Sequence, residues 1–254
     1  MRLVQVKQGI DQSFSLLGRA AKNGAEIGYL IAWGRFNLAA LFKEANFLVY
    51  SVIGPVMIIS IALGVVIGVQ LGPEFISRGL GSHMGIISAL TMTRELIPVV
   101  GSLMIATQYG TGLAAELANM KITEQIDALK VFGVNHIEYL VVPKFLAAVI
   151  FCPIVIWIAS LVSIAACYTT TWLTHSLSFK GFTGSIWTYF QISDITLCFI
   201  KAAAFAALII LIAITLGLNV KGGAKEVGKA TTLTVILSFV AIVAVDFLIT
   251  TIYL

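Results

Sequence analysis

Arg94 and Glu95 are neighbours near the middle of an apolar run over 86–107, and Pro98 follows three residues later. A charge in so apolar a setting costs a few kcal/mol or more unless it is paired or reaches water. Adjacent residues on a helix point about 100° apart, so these two do not neutralise each other. Pro98 cannot donate to the carbonyl of Arg94, which predicts a kink at that point. The candidate counter-charges are few. Asp194 and Lys201 lie seven residues apart, hence on one face of a helix, and Asp246 lies in the last apolar run. Such residues either close a structural ion-pair network or contact a polar group such as a lipid headgroup.

Other patterns are weaker. Gly223-Ala-Lys-Glu-Val-Gly-Lys229 matches the start of a phosphate-binding loop, but Ala230 stands where Ser or Thr is required, and an apolar helix rather than a strand precedes it. Nucleotide binding by this chain is therefore not expected. His83, His136 and His175 are scattered, Cys152, Cys167 and Cys198 lie inside apolar stretches without CxxC spacing, and no nucleophile constellation forms. No catalytic residue, metal site or cofactor is expected on this chain. Gly64, Gly68 and Gly72 repeat every four residues, a spacing that lets another helix approach, within the chain or from a second copy.

The elements that must position these residues follow from composition. Of 254 residues, 59% are hydrophobic and only 11% charged, too few charges to cover a water-soluble globule. A helix needs roughly 20 mostly apolar residues to cross a bilayer. Five runs qualify: 48–71, 86–107, 140–173, 197–218 and 233–254. The fold expected is an all-α integral membrane protein with about five transmembrane helices, divided into an N-terminal region, 1–47, and a transmembrane domain, 48–254. The N-terminal region reads as one or two amphipathic helices at the membrane interface: Ile10, Phe14, Leu17 and Ala21 recur at helical spacing beside Arg19 and Lys22. Its ambiguous part, 27–42, is apolar but interrupted by Arg35.

Twelve of the sixteen Lys and Arg residues fall in segments on one side of this topology, and only Arg78 and Lys180 clearly on the other. The positive-inside rule then puts the N-terminus in the cytoplasm and the C-terminus outside. The net charge of +4 is thus a topology signal, with no nucleic-acid partner implied. The larger cytoplasmic loop, 110–139, contains a short amphipathic helix. Thr123 is its expected cap and Gly133 its stop; Ile122, Ile126, Leu129 and Phe132 form an apolar side, and Glu124, Asp127 and Lys130 the other. Such a helix suits docking to a partner or lying on the membrane surface.

Three stretches, TRELIPVV at 93–100, AAELANMKITEQIDAL at 114–129 running on to Gly133 and Val134, and KGGAKEVGKATT at 221–232 followed by Asp246, resemble the Mla-type permeases, the MlaE family. The resemblance covers nearly the whole chain after Leu48. It implies a half-transporter of the ATP-binding-cassette (ABC) class in the bacterial inner membrane. Two copies would pair, each seated on a cytoplasmic ATP-binding subunit that holds ATP and Mg, beneath a periplasmic MCE-type lipid-binding protein. The cargo implied is phospholipid or a related lipid, moved between inner membrane and outer envelope. The segment 114–134 would hold the coupling helix, with Glu116, Thr123, Glu124, Gln125, Asp127 and Leu129 at the ATPase. Arg94, Glu95, Pro98, Asp194, Lys201 and Asp246 would surround the lipid pocket. Departures are Ile97 for a common Gly, Gln108 where a basic residue is usual, and Asn119 for a small residue.

Two rivals from other classes remain distinguishable. An ion-coupled secondary transporter would use Arg94 and Glu95 as a relay, though the five runs show no repeated halves. A structural scaffold would tolerate loss of Lys201 or Glu95 without disturbing envelope lipid.

Overall fold

The computed structural model describes residues 18–34 and 37–253, and among them the secondary structure is helical throughout, without strands. Helix α1 occupies 18–32. Five helices are long and apolar enough to cross a membrane: α2 (Leu38–Ser77), α3 (Gly81–Ile122), α5 (Ile137–His175), α7 (Ile192–Leu218) and α8 (Ala224–Tyr253). Between them stand α4 (Gln125–Val131) and α6 (Phe179–Tyr189). Each long helix outruns the apolar segment that marks it, because backbone hydrogen bonding continues past the hydrocarbon zone until a cap or breaker intervenes.

Residues 38–42 are continuous with the first long helix, because Asn37 caps α2: its Oδ1 accepts the backbone N–H groups of Ala39 and Ala40 at 2.9 and 3.3 Å. Gly34, at φ +64°, makes the preceding turn. Ile10, Phe14, Leu17 and Arg35 lie outside the described residues.

The chain divides into two compact units, and all five long helices contribute to both. One unit comprises the described part of Met1–Leu48 with Ala106–Ala148 and Ala207–Ala241. Here α1 turns Ile27 and Leu30 inward, and Arg19 Nη1 donates to Asn219 Oδ1 at 2.8 Å. Gly217 on α7 lies so close to Ala114 O on α3 that a Cβ would sit 2.8 Å from it. Lys144 is 4% exposed and joins three helices, with Nζ 3.0 Å from both Glu44 Oε2 and Glu116 Oε2.

The other unit comprises Val49–Ile105, Val149–Ala206 and the described part of Ile242–Leu254. The glycine repeat is used within the chain: a Cβ on Gly64 would strike the backbone of Ser163, and one on Gly68 would lie 2.9 Å from Thr170 Cβ. Glycine therefore lets α2 and α5 approach at backbone distance. Gly85 does the same for α3 against the carbonyl of Phe182 on α6, where Ser185 Oγ also accepts the N–H of Ile86 at 3.1 Å. Met84, Cys167 and Phe182 fill the space around this crossing.

Candidate functional site: an ion-pair network inside the spans

Helix α3 is interrupted by two π turns, Met92–Leu96 and Ala106–Gly110. Such turns are rare and concentrate at functional positions, because the wider ring frees backbone groups and rotates side chains out of α register. The first contains Arg94 and Glu95, with Pro98 just after it. A regular helix would send the N–H of residue 98 to the carbonyl of Arg94; proline has none to send. That carbonyl is taken by Lys201 Nζ at 2.9 Å. The irregularity at Pro98 thus creates the acceptor that a buried ammonium needs.

Lys201 is fully buried on α7. Besides the Arg94 carbonyl, its ammonium lies 2.8 Å from Glu95 Oε2 and 2.7 Å from Asp246 Oδ1 on α8. The ammonium donates to the Arg94 carbonyl and to Glu95, and its pairing with Asp246 is ionic, since the buried Asp246 Oδ1 has no hydrogen-bond partner among the described residues. Two carboxylates and a carbonyl around it are what let the charge stay out of water. About two turns toward the start of α7, Asp194 is 1% exposed and accepts from Arg94 Nε at 2.8 Å and Nη2 at 2.5 Å. Its other oxygen accepts the N–H of Gln191 at 2.8 Å and so caps the start of α7. The seven-residue spacing of Asp194 and Lys201 therefore does place both on one face, and that face meets α3. The structure brings together all six residues singled out within the spans: Arg94, Glu95, Pro98, Asp194, Lys201 and Asp246.

The network is closed on one side only. The side chains of Arg94 and Glu95 keep 31% and 41% of their exposure, against 1% for Asp194 and none for Lys201. Thr250 Oγ1 stands 3.4 Å from Glu95 Oε1, and Tyr253 OH donates to Ser193 O at 3.0 Å. These two were not legible beforehand, since a Thr and a Tyr at the end of an apolar run carry no signal. Lys144 and Glu44 were also missed; their signal was a charge set within a few residues of an apolar run on each of two helices.

The second group of candidates lies around α4. Thr123 does not cap this helix. Its Oγ1 donates back to Asn119 O at 2.8 Å and finishes α3, while Glu124, at φ +59°, holds the N-cap position without a side-chain bond. The reason is that α3 runs on to Ile122, farther than the sequence suggested, so its last turn claims the threonine. Gly133, at φ +72°, ends α4 as expected, with its N–H donating to Lys130 O and that of Val134 to Leu129 O. Asp127 is held by Lys121 at 2.8 Å and Lys130 at 3.0 Å, and these bonds keep its carboxyl below the usual carboxylate range. Ile126 is buried and Leu129 half-buried, whereas Val131 and Phe132 stand 86% and 80% exposed. Phe132 is therefore not on the inward side with Ile126. Glu124 and Gln125 are exposed beside it, and Glu116 is paired with Lys144. Gln108 is exposed in the second π turn.

A helical chain with five membrane-length helices and buried ion pairs at the depth of its apolar runs is a multi-pass membrane protein of the permease type. The model for the family Permease MlaE matches residues 41–252, and the chain belongs to that family. It is 32% identical over 217 residues to a probable ABC transporter permease protein of Synechocystis, covering 85% of this chain and 82% of that one. It is 30% identical to a probable ABC transporter permease protein of Rickettsia typhi, covering 84% and 82%. Similarity also extends to the chloroplastic protein TRIGALACTOSYLDIACYLGLYCEROL 1 of Arabidopsis thaliana, 31% identical over 79% of this chain and 57% of that protein.

Proposed function

We propose that this chain is the membrane-spanning subunit of an ABC transporter that moves phospholipid or a related lipid between inner membrane and outer envelope. The observation that carries the reading is the half-open ion network of α3, α7 and α8. Paired charges are kept inside apolar helices at considerable cost, and the two left partly open, Arg94 and Glu95, suit a polar headgroup whose tails rest on apolar walls. One relative carries a diacylglycerol lipid in its name, which supports the same cargo class. Two copies form the transporter, and a periplasmic MCE-type protein passes the lipid onward. ATP and Mg belong to a separate cytoplasmic subunit, whose docking element is α4 with its exposed Val131 and Phe132 beside Glu124 and Gln125. Closure of the ATPase pushes α4, and the push travels along α3 to Arg94 and Glu95.

The test is purification of the intact complex from cells carrying single substitutions, with the ATPase subunit and bound lipid both quantified. Phe132→Asp is expected to lose most of the ATPase while retaining lipid. Lys201→Ala is expected to lose lipid while retaining the ATPase. Lipid recovery indifferent to Lys201 would sink the cargo assignment, and ATPase recovery indifferent to Phe132 would sink the docking assignment.

A further inference from the structure

We infer that the open edge of the ion network selects a lipid headgroup carrying a phosphate and a protonated amine together. This rests on the lipid reading above and narrows it. The basis is a charge count. Five ionisable side chains meet in the network: Arg94 and Lys201 are cations, and Glu95, Asp194 and Asp246 are carboxylates, so one negative charge is left over. Asp194 and Arg94 cancel each other. Lys201 is a single cation set against both Glu95 and Asp246, so it neutralises one of them and leaves the other uncompensated. The other described basic residues of this unit do not help: Arg78 pairs with Glu74, and Lys180 is exposed on α6. A surplus charge at this depth is costly until a proton, water or a cationic ligand answers it.

The surplus has an address. Glu95 is the most exposed of the three carboxylates at 41%, and at its Oε1 the neighbour is a threonine hydroxyl 3.4 Å away. Beside it, Arg94 spends Nε and one N–H of Nη2 on Asp194 and keeps Nη1 for another acceptor, with 31% of its side chain exposed. The two residues are consecutive, with Cα atoms about 3.8 Å apart. A guanidinium edge suits a phosphate, and the carboxylate next to it suits an ammonium. A headgroup with phosphate but no amine engages Arg94 and leaves the surplus charge unanswered. A headgroup with both completes the network. The position inside the spans commits the ligand to a membrane lipid.

The full chain, purified in non-ionic detergent, would be equilibrated with mixed micelles holding equal amounts of phosphatidylethanolamine and phosphatidylglycerol with the same acyl chains. Native mass spectrometry then reads the ratio of bound lipids. One partly exposed ion pair predicts a three- to fivefold preference for the ethanolamine lipid. Glu95→Gln and, separately, Asp246→Asn should each bring the ratio close to one, while Glu74→Gln, outside the network, should leave it unchanged. A wild-type ratio of one or below overturns the inference whatever the variants do, and so does a ratio that neither variant moves. In both cases retained lipid leaves the broader cargo reading standing. Failure to retain lipid of either kind overturns both.

Discussion

At the scale of single residues, Lys201 concentrates more constraint than any other side chain described. It is fully buried and joins three helices through one ammonium. Lys201→Met keeps the volume and removes the charge, which leaves Glu95 and Asp246 facing each other with no cation between them. Breaking a buried pair by removing one partner costs roughly 3–5 kcal/mol. The lower end, about 3 kcal/mol, applies here because Glu95 is partly solvated. A second substitution, Asp246→Asn, removes one of the stranded carboxylates and should recover about half of the loss. The measurement is thermal unfolding in detergent: a clear drop for the single variant and a partial return for the double variant. Equal melting of wild type and Lys201→Met would mean that the ammonium does not stabilise the helices it touches.

At the scale of elements, α4 is a seven-residue helix with Ile126 buried and an exposed ion pair to the end of α3. Asp127 bridges Lys121 at the end of α3 to Lys130 within α4, and those bonds lower its carboxyl from the ordinary value. A carboxylate lowered by folding stabilises the folded form at pH above its unfolded value, about 3.9. That stabilisation fades as pH falls through the lower folded value. The protection of α4 amides, taken relative to the intrinsic exchange rate at each pH, should therefore be unchanged from pH 7 to about 5 and fall only below about 4. Asp127→Asn should show the reduced, acid-type protection already at pH 7. The existence and stop of this helix were legible in the sequence, because Gly133 and the apolar spacing are strong local signals. Its start was not, because Thr123 fits the cap of one helix and the last turn of the preceding one equally well, and only the length of α3 decides between them. The π turns were likewise illegible, since no residue type prescribes a five-residue ring, although the cost of Arg94, Glu95 and Pro98 in one apolar run did mark the place. The glycine repeat could be read as a close helix contact but not assigned to one, because spacing says that a helix approaches and not which helix.

At the scale of the whole molecule, the five spans were legible because hydrocarbon thickness imposes a length on apolar runs that composition alone reveals. Their orientation is an inference of a different kind, since it depends on where basic residues collect. The unit built from 1–48, 106–148 and 207–241 holds Arg19, Lys22, Lys43, Lys121, Lys130, Lys144, Lys221, Lys225 and Lys229 among its described residues. The other unit holds Arg78, Arg94, Lys180 and Lys201, and two of these are committed to the ion network. The helix ends that the charge rule assigns to the cytoplasm are thus the ones that gather in a single compact unit. We propose, on the charge rule, that this unit is the cytoplasmic one, with the N-terminus inside and the C-terminus outside. Single cysteines at exposed positions decide it. The three native cysteines are buried and should react slowly with a bulky maleimide that cannot cross membranes. In intact inner-membrane-facing preparations, with only the periplasmic side exposed, Lys180→Cys on α6 should be labelled at once. Lys225→Cys at the start of α8 should be labelled only after permeabilisation. The reverse pattern would invert the protein, place α4 on the side without ATP, and remove the docking role assigned to Phe132.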